Sequence, residues 1–249
     1  MNSKKIKENF KMLKNMGSYD PNFERDACGV GLVANIKGVK SHEIIKKSLT
    51  ALRNLEHRGA SGADPDTGDG AGILIQIPHD FLLEATSNLG FNIEKDKYGT
   101  GIIFAGSSKK STENVKKIIE KCSEDQGLQV IGWRDVPVNS KKIGKFLKEV
   151  MPNIIQVFIG KNNNKDIDNF EQKLFIIRKK FEYIVNEEFD NDEIEKIYAC
   201  SLSAHKIIYK GLLTSEQVPE FYLDLKNKKM ESSFGLVHSR FSTNTLGDW

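Results

Sequence analysis

Apolar and polar positions along this chain follow two rhythms, a period of two and a period near 3.6, and the two alternate for most of its length. From Cys28 to Ile36, apolar residues alternate loosely with small ones, which predicts a first strand. Gly38 marks a turn. Ser41 stands where a helix N-cap belongs, with Glu43 in the first turn. Ile44, Ile45, Leu49, Leu52 and Leu55 then recur at helical spacing up to His57. Residues 58–70 are rich in Gly, Asp, Ser and Pro, a loop by every local signal. Ile73–Ile77 reads as a strand that ends at Pro78.

The second half keeps the alternation. Strands are predicted at 101–105, 128–133 and 154–159, and helices at 111–123, 140–149 and about 168–187. Residues 197–202 and 206–209 read as a hairpin or as two consecutive strands. A last strand over 234–241 runs into the polar Ser242-Thr243-Asn244-Thr245. The asparagine- and lysine-rich stretch 161–165 is expected to be a surface loop. Strands and helices mix without a linker, which implies one α+β domain spanning 28–249.

Composition narrows the field by exclusion. The 249 residues carry a formal charge of +3, spread as separated lysines, so no nucleic-acid footprint is visible. No apolar run has the length of a membrane span. The three cysteines (Cys28, Cys122, Cys200) are far apart, and the five histidines form no i, i+4 pair, so no metal site is expected. An odd and sparse cysteine count points to a reducing compartment, and a cytoplasmic location is expected. Residues 1–27 form a lysine-rich polar leader without the apolar segment of a secretory signal.

Cys28 is the residue with the most chemistry to offer. If the leader is removed before it, its α-amine, with an ordinary pKa near 7.7–8.0, can serve as base for its own thiol. The competing reading is a cysteine packed on a core strand. Arg58 and Arg240 each sit where an apolar element gives way to a polar loop. Arginine there either grips a carboxylate bidentately or forms a surface ion pair. The run Gly68-Asp69-Gly70-Ala71-Gly72 invites a phosphate-loop reading, but its glycines lead into a strand rather than a helix. The plainer account is backbone that packs closely or takes positive φ. His57, at a helix end, suits the dipole rather than a metal.

Several runs, taken in order, resemble the start of the glutamate synthase large subunit. They are Cys28-Gly29-Val30-Gly31, Leu55-Glu56-His57-Arg58-Gly59-Ala60 and Thr67-Gly68-Asp69-Gly70-Ala71-Gly72, followed by Gly132-Trp133-Arg134-Asp135-Val136-Pro137-Val138, Gln156-Val157-Phe158 and Cys200-Ser201-Leu202-Ser203. The series ends in His238-Ser239-Arg240-Phe241-Ser242-Thr243-Asn244-Thr245. That region of the family is a class II glutamine amidotransferase domain.

The resemblance implies a four-layer αββα sandwich of the N-terminal nucleophile hydrolase type. It implies that residues 1–27 are a propeptide and that Cys28 forms a γ-glutamyl thioester with L-glutamine. Arg58 would help position the nucleophile, Arg240 would hold the substrate α-carboxylate, and Thr243 would be a second binding residue. No cofactor is expected in this segment. FMN and an iron–sulfur cluster are implied for the full-length enzyme, with a small reductase subunit or ferredoxin as electron-donating partner. Leu246-Gly247 stands where the family has an aromatic–proline pair, and the family's oxyanion-hole segment is expected beyond Trp249. The sandwich is therefore expected to be C-terminally incomplete, with apolar faces left open. The alternatives are an inert fragment or interaction module, and a free-standing glutaminase.

Overall fold

A computed structural model describes residues 28–56, 67–161, 169–189, 196–241 and 249. The expected leader at 1–27, Arg58 and Thr243 lie outside the described residues. The strands are β1 (Gly29–Ala34), β2 (Ala71–Gln76), β3 (Tyr98–Ala105), β4 (Leu128–Asp135), β5 (Ile154–Lys161), β6 (Ile197–Ala199), β7 (Lys206–Gly211) and β8 (Phe234–Ser239). The helices are α1 (His42–Asn54), α2 (His79–Ser87), α3 (Lys109–Glu124), α4 (Lys145–Val150), α5 (Phe170–Glu188) and α6 (Gln217–Phe221). Short 3₁₀ turns occupy Ser140–Lys142 and Leu223–Lys226.

These strands build two four-stranded antiparallel sheets, ordered β1-β8-β2-β7 and β4-β5-β3-β6. Helix α1 packs on β8, β1 and β2 of the first sheet, while α3 and α5 pack on each other and on the second. This is the α+β arrangement of two sheets with helices against each that a sandwich requires. One face of the second sheet, with Ile103, Ile155, Val157 and Ile159, is sealed by Val115, Ile119, Leu174, Ile177 and Phe181. The larger core draws Ile45 and Leu52 from α1, Ile73 and Ile75 from β2, Tyr209 from β7, and Ile102, Phe104 and Phe158 from the second sheet. Each fully buried aliphatic or aromatic side chain contributes about 1.5–3 kcal/mol.

Register assigns the two faces of the first sheet. Val237 lies opposite Gly31 and Ile73, and this face carries the buried Ile73, Ile75, Ile207 and Tyr209. The other face carries Val30, Leu32, Gly72, Leu74, Lys210, Leu236 and His238, with Val30 63% and Leu32 66% exposed.

Most predicted elements are present, with instructive differences. β1 ends at Ala34, before Ile36, because the N–H groups of Lys37 and Gly38 fold back to the Asn35 side chain and carbonyl. Ser41 does precede α1, but its side chain makes no cap bond; its backbone bridges Ser232 instead. The helix predicted at 140–149 divides into a 3₁₀ turn and α4. β6 and β7 are consecutive strands and not a hairpin. β6 pairs with β3 in the second sheet and β7 with β2 in the first, so the chain crosses between sheets over residues 200–205. α2 and α6, which the sequence patterns did not announce, are short helices whose Phe81, Leu82, Val218 and Phe221 fill the larger core.

A buried polar chain ties the two sheets together. Arg134 of β4 donates to both carboxylate oxygens of Asp224, at 2.8 and 2.6 Å, and to Gln156 Oε1 at 3.0 Å. Gln156 donates on to Thr100 Oγ1, whose hydroxyl donates to the Val157 carbonyl. From the other sheet, Tyr209 donates its hydroxyl to Asp224 at 3.1 Å. Burial raises the Tyr209 pKa well above the ordinary phenol value, with the Asp224 charge adding to it. The tyrosine therefore stays a donor, and every member of the chain is partnered, as buried polar groups require.

Candidate active site

The candidate nucleophile and carboxylate-binding arginine arrive on neighbouring strands. β1 and β8 are antiparallel, with Gly29 opposite Ser239, so Cys28 just before β1 comes beside the residues just after β8. The contact is direct. Cys28 Sγ lies 3.4 Å from the Phe241 amide nitrogen, which donates to it, and 3.7 Å from the Phe241 carbonyl oxygen, to which the thiol donates. Cys28 is a free and exposed cysteine, so the packed-core reading does not hold.

Arg240 is anchored from the opposite side by the loop before β2. Its amide donates to the Gly70 carbonyl at 2.8 Å, and its guanidinium Nη1 reaches the Asp69 carbonyl at 3.5 Å. Gly70 has φ +125°, a conformation that side-chain-bearing residues rarely adopt. At Gly72 a Cβ would stand 2.7 Å from the Tyr209 carbonyl and from Lys210 Cβ. The glycine run is therefore backbone that turns and then packs closely against β7, and the phosphate-loop reading is set aside. Behind the site, Ser215 and Ser239, both buried, join hydroxyls at 3.0 Å.

A pocket of about 450 Å³ opens here, lined by Asp69, Gly70, Gly72, Lys210, His238 and Arg240, with Trp249 at its wall. Lys210, Gly72 and His238 lie in one row across β7, β2 and β8, and the missing side chain at Gly72 forms the floor between the two basic residues. Partial burial, and then the Arg240 charge, hold the His238 pKa below the ordinary histidine value.

Of the predicted site residues, Cys28 and Arg240 are thus brought together, while Arg58 and Thr243 lie outside the described residues. Sequence reasoning missed the Phe241 amide, the Asp69 and Gly70 carbonyls, and the pocket residues His238 and Lys210. His238 was open to detection, because it stands two positions before Arg240 on a predicted strand and must share its face. The backbone groups carried no signal. Among the described residues no three His, Cys, Asp or Glu side chains converge on a metal site. Cys122 is buried on α3 and Cys200 just after β6, and Cys28 is exposed before β1, so the described residues do not fit an iron–sulfur cluster.

The comparison that decides the family begins at the candidate nucleophile itself. The sequence model of the glutamine amidotransferases class-II matches residues 28–249. The chain belongs to this family. Among its relatives, the chain is 47% identical over 240 residues to the glutamate synthase [NADPH] large chain of Bacillus subtilis (strain 168), a match covering 96% of this chain and 15% of that one. It is 41% identical over 227 residues to the chloroplastic ferredoxin-dependent glutamate synthase of Oryza sativa subsp. japonica, covering 91% and 14%. To the glutamate synthase [NADPH] large chain of Azospirillum brasilense it is 38% identical over 245 residues, covering 98% and 16%. The chain thus spans about one-seventh of the length of these relatives. No helix among its described residues is long and apolar enough to cross a membrane.

Proposed function

We propose that this chain carries the glutaminase half-reaction of a glutamate synthase. The observation that carries the reading is the meeting of an exposed Cys28 sulfur with the Arg240 end of β8, at the residue where the family match begins. Removal of residues 1–27 frees the Cys28 α-amine, which takes the thiol proton. The thiolate attacks the side-chain amide carbon of glutamine, the C–N bond breaks, and ammonia leaves with that proton. Water then cleaves the C–S bond of the thioester, giving glutamate and restoring the thiol. The Arg240 fork holds the substrate α-carboxylate, and the family resemblance assigns Thr243 a second binding role and Arg58 a part in positioning the nucleophile. Ammonia is consumed with 2-oxoglutarate elsewhere in the full-length protein, where FMN and an iron–sulfur cluster supply the electron transfer. A reductase subunit or ferredoxin is the electron-donating partner. A reducing cytoplasmic setting suits a free catalytic thiol.

The test is Cys28→Ala in the full-length protein. Glutamine-dependent activity falls below detection, ammonia-dependent activity persists, and the mature wild-type N-terminus reads Cys28. Loss of both activities in a folded variant would overturn the reading.

A further inference from the structure

The pocket beside the proposed nucleophile holds a basic residue that the half-reaction above does not use. His238 and Arg240 lie two positions apart, about 7 Å along the strand, on the same face of one edge of the pocket. Val30 faces His238 from β1, and Gly72 faces it from β2 with Lys210 of β7 beyond. Among the described residues the remaining titratable group of the pocket lining is Asp69, and Cys28 lies outside that lining, against the Phe241 amide that follows Arg240. Gly72 stands between His238 and Lys210 in that row and puts no side chain between them.

We propose that His238 is a specificity-determining residue that sets how strongly this pocket retains glutamate relative to glutamine. Glutamine is zwitterionic with no net charge, whereas product glutamate carries one net negative charge. A neutral imidazole leaves the discrimination to the other charged groups, Arg240 and Lys210 among the described residues. An imidazolium adds a positive charge that acts on the extra carboxylate of the product. The partial burial and the Arg240 charge that lower the His238 pKa keep the ring neutral near pH 7–8, so the product leaves readily there. Below the histidine range the ring is charged and the product is held. Linkage requires the converse, that bound glutamate draws a proton onto His238.

This inference rests on the proposal that Arg240 takes the substrate α-carboxylate, and the experiment separates the two. In the full-length protein, inhibition of glutamine-dependent ammonia release by added glutamate is measured between pH 8 and pH 5.5 for wild type, His238→Gln and Arg240→Lys. In wild type the inhibition constant for glutamate falls about two- to fivefold more than the KM for glutamine over that range, the strength of one partly exposed charge pair. In His238→Gln this differential disappears. Calorimetry of glutamate binding in buffers of different ionisation enthalpy gives a reading independent of turnover, with a fraction of a proton taken up near pH 6 by wild type and none by His238→Gln. Equal pH differentials in wild type and His238→Gln, with the glutamine KM raised in Arg240→Lys, would overturn the role of His238 and leave the Arg240 assignment standing. An unchanged glutamine KM in Arg240→Lys would overturn both.

Discussion

Each of the three cysteines occupies a different environment, and the differences dictate their reactivity. Cys28 is exposed beside the Phe241 backbone, whereas Cys122 on α3 and Cys200 after β6 are buried. Burial pushes the Cys200 thiol up to about 12, and burial with the nearby Asp125 charge raises that of Cys122. The thiolate is the reactive form, so neither buried cysteine offers it at pH 8. Iodoacetamide on the native protein at pH 8 is therefore expected to label Cys28 and spare the other two, with all three labelled after denaturation. Peptide mass spectrometry reads the result, and modification of Cys200 in the native protein would contradict its placement. The sequence marked Cys28 by its position between leader and strand. It had no means to show that the Phe241 amide meets the sulfur, since that contact joins residues 213 apart in the chain.

Helix entry shows how an identical residue type at an identical position can differ in worth. Ser108 caps α3 with its side chain, whose oxygen accepts from the Ser111 amide at 2.9 Å. Ser41 occupies the corresponding place before α1, yet its backbone is committed to a bridge with Ser232 and its side chain caps nothing. Ser108→Ala is expected to lower stability by about 1 kcal/mol. Ser41→Ala should stay within about 0.5 kcal/mol of wild type. Urea unfolding of the two variants measures both values. The apolar spacing alone made α1, α3 and α5 legible, because each presents one stripe to a sheet. α2 and α6 escaped notice because helices of nine and five residues complete too few turns to establish a period.

Across the whole molecule, the Arg134–Asp224 pair is the polar tie between the sheets. Asp224→Ala would strand a guanidinium that is 8% exposed, together with the Tyr209 hydroxyl, at a cost of about 3–5 kcal/mol. Replacing the pair by Arg134→Met with Asp224→Leu removes both charges and should recover most of that loss. Thermal or chemical unfolding of the single and double variants tests the coupling. A double variant no more stable than Asp224→Ala would show that the pair itself stabilises the fold. Arg134 stands within one of the motifs that carried the family resemblance, yet its geometry is that of a structural clamp on Asp224.

By itself the amino-acid order determined what local periodicity can encode: most helices and strands, the mixed α+β class, and the chemical promise of Cys28 and Arg240. The resemblance in its ordered motifs pointed to the family that the comparisons then bore out. Only the tertiary structure decided which strands pair. β8 inserts between β1 and β2, and β6 and β7 part to different sheets. Those choices depend on burying the alternating faces of distant segments together, a condition no short window contains. The site follows from the same long-range pairing, because Cys28, Gly70 and Arg240 become neighbours only once β1, β2 and β8 lie side by side.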